Sequence, residues 1–374
     1  MPSRPIGDAW ITQLTPPGVG AIAALGLRGP GAQALLEAFF KPVSASQESV
    51  QFGRFGHALA DEVVVVRRAT HFELHCHGGR AVVAWLVNLL REAGAVEIAW
   101  SDWLAQLSSS KLQTWAAQLL PDALTARTAQ ILLDQQQGAL EAALLVVCQV
   151  LQRHDLTLAA RRLEGLLRHA RLGQRLTSPW RIVLLGPTNV GKSSLINALV
   201  GFERSLTSPI AGTTRDTLSA LSAIDGWPVE LVDTAGLREP ASALEAAGIE
   251  RARAAGADAD LVLAVADSST PGTLLHTDAP TLVVINKCDL PPAWEPAGLR
   301  VSALTGQGLA ELFQAISSTL VPEPPTPGEA VPFTAAIVTA LHQATAHVAH
   351  GQADEACRIL EDLLGQATSP DRTG

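Results

Sequence analysis

A short stretch in the middle of the chain carries the strongest chemical signal. Gly186-Pro187-Thr188-Asn189-Val190-Gly191-Lys192-Ser193-Ser194 has the spacing G-x-x-x-x-G-K-S. It follows an apolar run at 182–185 and precedes a helical pattern at 194–199. Glycines at those two positions let the backbone turn tightly, so that successive N–H groups point at phosphate oxygens. A helix starting there adds its positive N-terminal dipole. Lys192 then reaches the β- and γ-phosphates, and the Ser193 hydroxyl is a ligand for Mg²⁺.

Three further motifs follow in order. Asp233-Thr234-Ala235-Gly236 comes after an apolar run at 229–232. Asp233 is placed to hold Mg²⁺ through water, and the Gly236 N–H to sense the γ-phosphate. Asn286-Lys287-Cys288-Asp289 comes after a run at 282–285. The Asp289 carboxylate accepts two hydrogen bonds that guanine offers and adenine does not. Ser302-Ala303-Leu304 would back the base. Together these predict a site for GTP and GDP rather than for adenine nucleotides. The chain has four lysines, and two of them, Lys192 and Lys287, fall inside these motifs. Between the first two motifs lies Gly212-Thr213-Thr214-Arg215-Asp216, where a threonine can complete the Mg²⁺ shell. Leu237 follows Gly236, and a hydrocarbon cannot orient an attacking water as glutamine does in some GTPases. Glu239 and Glu245, in the segment behind it, are the polar candidates for that task.

The elements that must position these groups read as a multidomain chain. Residues 179–321 alternate short, nearly continuous apolar runs with helical patterns. This is the signature of an α/β domain with a mainly parallel sheet buried on both faces. Residues 106–178 turn helical, with one helix expected over 161–176. Residues 1–105 mix strand-like runs at 63–66, 72–77 and 96–100 with helices at 31–39 and 80–93, a small α+β domain. Pro322, Pro324, Pro325 and Pro327 mark a linker, and residues 322–374 then add further helices.

Composition excludes other classes. No apolar run approaches the ~18 residues of a membrane span. The first residues, Met1-Pro2-Ser3-Arg4-Pro5, have no apolar run behind them, so no secretory signal and a cytoplasmic location are expected. Cys76, Cys148, Cys288 and Cys357 are too scattered for a disulfide framework or a zinc site. The net charge of −9 does not announce nucleic acid, and the short arginine-rich stretches read as solvated helix faces. His75 and His77 share a strand face without a third metal ligand.

Residues 186–194, 212–216 and 233–239, with Ala247-Gly248-Ile249-Glu250-Arg251-Ala252 behind them, resemble the tRNA modification GTPase family MnmE, also called TrmE. Thr15-Pro16-Pro17-Gly18 and Glu73-Leu74-His75-Cys76-His77-Gly78-Gly79 resemble its N-terminal domain. The resemblance implies a GTPase domain inserted in a helical domain contributed from both sides, behind the N-terminal domain. It implies that Asn189, Ser208, Ile210 and Thr213 hold K⁺, whose charge takes the place of an arginine finger. Ser193 and Thr214 match the family's Mg²⁺ ligands, and Glu245 its catalytic glutamate. The family dimerises, draws on a folate one-carbon donor, and works with the flavoprotein MnmG on the wobble uridine of certain tRNAs.

The departures from the family concentrate in the folate chemistry. Gly26 aligns with an arginine of the folate pocket, and Glu73 is the one folate contact that can be placed. The chain ends Pro370-Asp371-Arg372-Thr373-Gly374 in place of a Cys-Ile-Gly-Lys motif, and Leu304 replaces a lysine that packs over guanine. Two readings follow: a divergent member that supports wobble-uridine modification with a MnmG-like partner, or a GTP-dependent switch or scaffold in ribosome or RNA assembly that has lost the folate chemistry.

Overall fold

The computed structural model describes residues 8–16, 18, 20–44, 48–107, 110–202, 219–233, 258–272 and 279–365. Ser208, Ile210, Thr213, Thr214, Gly236, Leu237, Glu239 and Glu245 lie outside these described residues. The chain divides into two compact units, Met1–Ser110 and Lys111–Gly374.

The first unit is a seven-stranded sheet in the order β3-β4-β5-β6-β2-β1-β7. Its strands are β1 (Ala9–Gln13), β2 (Ile22–Arg28), β3 (Phe40–Pro42), β4 (Val50–Gly56), β5 (Ala60–Arg67), β6 (Phe72–His77) and β7 (Ala95–Glu97). Pairing is antiparallel except between β1 and β7. Strand alternation sends Leu25 and Leu27 of β2 and Leu74 and Cys76 of β6 into a core with α1 (Ala32–Phe39) and α2 (Arg80–Glu92). Glu73, His75 and His77 therefore point to the opposite face. The strand expected at 96–100 is shorter, because Trp100 opens a helix, α3 (Trp100–Leu107), whose Trp103 is buried.

The second unit begins with helices α4 (Lys111–Leu119), α5 (Ala126–Gln136), α6 (Ala139–Gln152), α7 (Leu156–Leu167) and α8 (Ala170–Gly173). The single helix expected over 161–176 is thus two. The first starts earlier, where Asp155 caps it by accepting from the Leu158 N–H at 3.0 Å. It stops where buried His169 turns to bond Glu329 at 3.0 Å.

A six-stranded sheet follows, ordered β13-β12-β11-β8-β10-β9. Its members are β8 (Trp180–Leu185), β9 (Ser219–Ile224), β10 (Trp227–Asp233), β11 (Leu261–Asp267), β12 (Thr281–Asn286) and β13 (Leu299–Arg300). All neighbours run parallel except β9, which pairs antiparallel with β10 at the edge. Every residue of β11 is buried, as a strand covered on both faces requires. Helix α9 (Lys192–Phe202) follows the glycine-rich loop, and α10 (Leu309–Leu320) closes the segment.

Two last helices, α11 (Ala335–Ala349) and α12 (Ala353–Leu364), return to the first set: α11 packs on α7, and α12 on α4 and α6. Buried Gln135 of α5 ties the two sets together. Its Nε2 donates to the Glu329 carbonyl at 3.0 Å, and its Oε1 accepts from the Val331 N–H at 3.1 Å. Among the described residues, no single helix is long and apolar enough to cross a membrane.

Candidate guanine-nucleotide site

Of the residues singled out in the second unit, the described ones gather at the carboxyl ends of its parallel strands. The chain leaves β8, the first strand of the sheet, at the point where later strands continue to either side of it. Crevices at the carboxyl ends of parallel strands, where strand order reverses, are the natural ligand sites of such sheets. The loop 186–191 occupies this position, Asp233 ends β10, Asn286 ends β12, and Ser302 follows β13.

Backbone geometry explains the glycine. Gly191 has φ +92°, and a Cβ there would collide with the side-chain nitrogen of Asn286. Asn189 and Lys287 also take left-handed conformations, both at φ +62°. Strain of this kind persists where surrounding bonds hold it. Here Lys287 Nζ donates to the Asn189 carbonyl at 2.7 Å, and buried Asn286 donates through Nδ2 to the Val190 carbonyl at 2.9 Å. The guanine motif and the phosphate loop thus brace each other.

Lys192 is buried and donates to the carbonyls of Gly186 at 2.9 Å and Pro187 at 2.8 Å, folded over its own loop. The Ser193 hydroxyl donates to Asp233 Oδ2 at 2.5 Å. Two hard oxygen donors side by side next to a phosphate-binding loop fit Mg²⁺. For K⁺, the structure places Asn189, exposed on the loop, and Ser208, Ile210 and Thr213 lie outside the described residues. Asp289 is exposed and accepts from the Ser302 hydroxyl at 2.5 Å. Ser302 is fully buried, and its Oγ also accepts from the Thr305 N–H at 3.1 Å. The Ala303 N–H donates to Asn286 Oδ1 at 3.1 Å. The Asp289 carboxylate is therefore oriented by Ser302 of the Ser-Ala-Leu motif. Leu304, beside it, is 86% exposed.

Sequence reading missed Asp267. It lies at the carboxyl end of β11 and accepts from Lys287 Nζ at 2.6 Å and from the Ser269 hydroxyl at 2.7 Å. Burial pushes its carboxyl up, but the bonds from Lys287 and Ser269 outweigh burial and hold it below the ordinary aspartate range. The available signal was an acidic residue closing a fully apolar run.

In the first unit, Glu73 accepts two bonds from the Arg68 guanidinium at 2.8 and 3.1 Å and lies 3.1 Å from His75 Nε2. The Arg68 hydrogen bonds hold the Glu73 carboxyl down at about 2, against burial and with help from His75. His77 turns instead to Asp61, at 2.8 Å. Among the described residues, no group of three or more His, Cys, Asp or Glu is placed to hold a metal. At the two positions that the family resemblance links to folate, side chains of this chain are in contact. The Trp103 indole lies against Gly26, so close that a Cβ at 26 would stand 2.5 Å from its Cζ2. Glu73 is engaged by its own neighbours.

A phosphate loop, an aspartate on the adjacent strand and an Asn-Lys-x-Asp motif at the carboxyl ends of one set of parallel strands define the P-loop guanine-nucleotide-binding class. The family described as 50S ribosome-binding GTPase matches residues 181–287. The tRNA modification GTPase MnmE of Thermus thermophilus is 33% identical over 404 aligned positions, covering 94% of this chain and 90% of that protein. The protein of the same name from Chloroflexus aurantiacus is 33% identical, covering 84% and 82%. A third, from Xanthomonas campestris, reaches 44% identity over 170 positions, covering 43% of this chain and 38% of its own length. The chain belongs to the tRNA modification GTPase MnmE family, and it is a GTPase.

Proposed function

We propose that this GTPase drives modification of the wobble uridine of tRNA together with a MnmG-like flavoprotein. The observation that carries the reading is similarity to MnmE proteins across nearly the whole chain, both units included. In this reading the α/β GTPase domain is inserted in a helical domain, with residues 1–105, 106–178, 179–321 and 322–374 as the four segments. The packing of α11 and α12 on helices that precede the GTPase segment supports it. The protein acts in the cytoplasm, as a homodimer.

Hydrolysis is attack of water on the γ-phosphorus of GTP, with cleavage to GDP and inorganic phosphate. Asn189, Val190, Gly191, Lys192, Ser193 and Ser194 cradle the phosphates, and Lys192 leaves the Gly186 and Pro187 carbonyls to neutralise charge on the β- and γ-oxygens. Asp289, held by Ser302, reads the guanine edge, while Asn286, Lys287 and Ala303 brace the pocket. Glu245 orients the water that Leu237 cannot, and the Gly236 N–H meets the γ-phosphate. Ser193, Thr214 and Asp233 hold Mg²⁺, and Asn189, Ser208, Ile210 and Thr213 hold K⁺. Both ions supply positive charge where the transition state gathers negative charge.

The test is mass spectrometry of tRNA nucleosides from cells lacking this gene. Loss of aminomethyl-type wobble uridines is expected. Unchanged uridines, with no second homologue to cover the loss, would overturn the reading in favour of a GTP-dependent switch in RNA assembly.

A further inference from the structure

The hairpin of β9 and β10 joins the two segments that must respond to nucleotide. β9 begins at Ser219, close behind Thr214 in the sequence, and β10 ends at Asp233, just ahead of Gly236. At the far end is the turn Asp225-Gly226, with both residues left-handed at φ +52° and +74°. That is the backbone of a tight two-residue hairpin turn, a geometry that Asp-Gly adopts by itself.

Such a turn usually ends in water. This one is exposed at Asp225 yet bonded to the helical segment on one side. Thr125 Oγ1 donates to the Gly226 carbonyl at 2.7 Å. Arg127 Nη1 donates to the Asp225 carbonyl at 2.6 Å and to its carboxylate at 2.8 Å. Ser317 Oγ of α10 donates to the same carboxylate oxygen at 2.9 Å. The Arg127 guanidinium lies over the buried Trp227 ring, 4.1 Å from its centroid. Thr125 is also the N-cap of α5, accepting from the Thr128 N–H at 3.2 Å. One threonine therefore fixes the start of a helix and the tip of the hairpin at once. A Cβ at Gly226 would stand 3.2 Å from Arg127 Cβ and Cδ, so the fit also limits what the turn can carry.

We propose that Thr125 and Arg127 are positioning residues that couple the nucleotide state of the GTPase segment to the helices. A hairpin laddered along its whole length is stiff, so displacement where Thr214 and Asp233 engage nucleotide reaches the Asp225-Gly226 tip. There it loads the N-terminus of α5, whose Gln135 is tied to the chain entering α11. The inference rests on the nucleotide site proposed above.

Linkage supplies the test. A contact whose strength differs between the GDP and GTP states must, when removed, change the ratio of the two affinities. A contact that merely holds the fold changes both by the same factor. Affinities of the full-length protein for GDP and for a non-hydrolysable GTP analogue are measured in wild type, Arg127→Ala and Arg127→Lys. The affinity ratio should shift about fivefold in Arg127→Ala and less in Arg127→Lys, which keeps a donor. Affinities unchanged, or changed by one common factor, overturn the coupling. Wild type that binds neither nucleotide overturns the site itself, a separate outcome. Should Arg127→Ala fail to fold, Asp225→Asn keeps the left-handed turn and removes the charge pair, and the same ratio decides. Hydrogen exchange over α5 gives a second readout: it should differ between the two nucleotides in wild type, and identical exchange overturns the proposal.

Discussion

Both units gather charged side chains on a sheet, and the two gatherings differ in what holds them. At the carboxyl ends of the second sheet's parallel strands, Lys192 and Ser193 bond to backbone carbonyls and to Asp233. Those bonds can be exchanged one for one with phosphate oxygens and a cation. The loop that carries them is fixed independently, by Asn286 and Lys287. On the first sheet, Glu73 is held by Arg68 and His75, and the neighbouring strand is closed by an indole ring. There the charged groups hold one another, on strands that are paired and packed independently of them. The difference lies in the partners: an ion pair satisfies both its members, whereas a lysine on loop carbonyls and a hydroxyl on a carboxylate leave places that a phosphate or a cation can take.

The largest effect expected from this contrast is at Lys192. Lys192→Ala should lower GTP hydrolysis on the order of 100-fold or more, since it removes the charge that the proposed mechanism places on the transferring phosphoryl group. Rates measured in single turnover check this, and a rate within threefold of wild type would separate Lys192 from the chemistry. Next comes Asp289→Asn, which removes the charged acceptor for guanine. GTP affinity should drop about 10- to 100-fold, and discrimination against ATP should shrink, as a competition titration would read. Neither change should alter exchange protection in β2 or β6.

The sequence made the second region legible because its chemistry demands fixed residue types at fixed spacings, each at a strand end. The glycines, Lys192, Asp233, Asn286 and Asp289 could all be placed by counting. Asp267 could not, because a lone carboxylate has no spacing to count. β9 escaped notice for a different reason. Ser-Ala-Leu-Ser-Ala-Ile offers one β-branched residue and lies at the sheet edge, so its strand character comes from pairing with β10 rather than from its own composition. The closure of Gly26 by Trp103 was also invisible, because the two meet only when α3 packs against β1 and its indole reaches across to β2. The latch at Asp225-Gly226 has a local half, the turn residues, and a distant half, Arg127 and Thr125. Only the local half can be read from a window of sequence.

Gly26 sharpens the comparison from the other side. Gly191 and Gly26 are both closed to a side chain, but by different partners: a motif amide in one case, an indole in the other. Gly26→Ala should destabilise the first unit by about 1–3 kcal/mol through overpacking, raising hydrogen exchange in β2 and α3. Nucleotide affinity should stay at the wild-type value.

The smallest effect is expected at Glu73, and its sign follows from the pKa. The ordinary value is 4.5 and the folded value is about 2, lowered chiefly by the Arg68 hydrogen bonds. A carboxyl held below its unfolded value stabilises the fold above pH ~4.5 and loses that contribution as pH falls toward ~2. Arg68 is half exposed, so solvent screens the pair and the contribution is modest. Glu73→Gln should therefore lower the melting temperature by about 4 °C or less at neutral pH. The gap between variant and wild type should close as pH falls through the interval from 4.5 to 2. A gap that stayed constant across that interval would mean that Glu73 acts through packing and not through charge. Its ion pair would then be an incidental feature of the exposed face, and the contrast with the exchangeable bonds of Lys192 would rest on Trp103 alone.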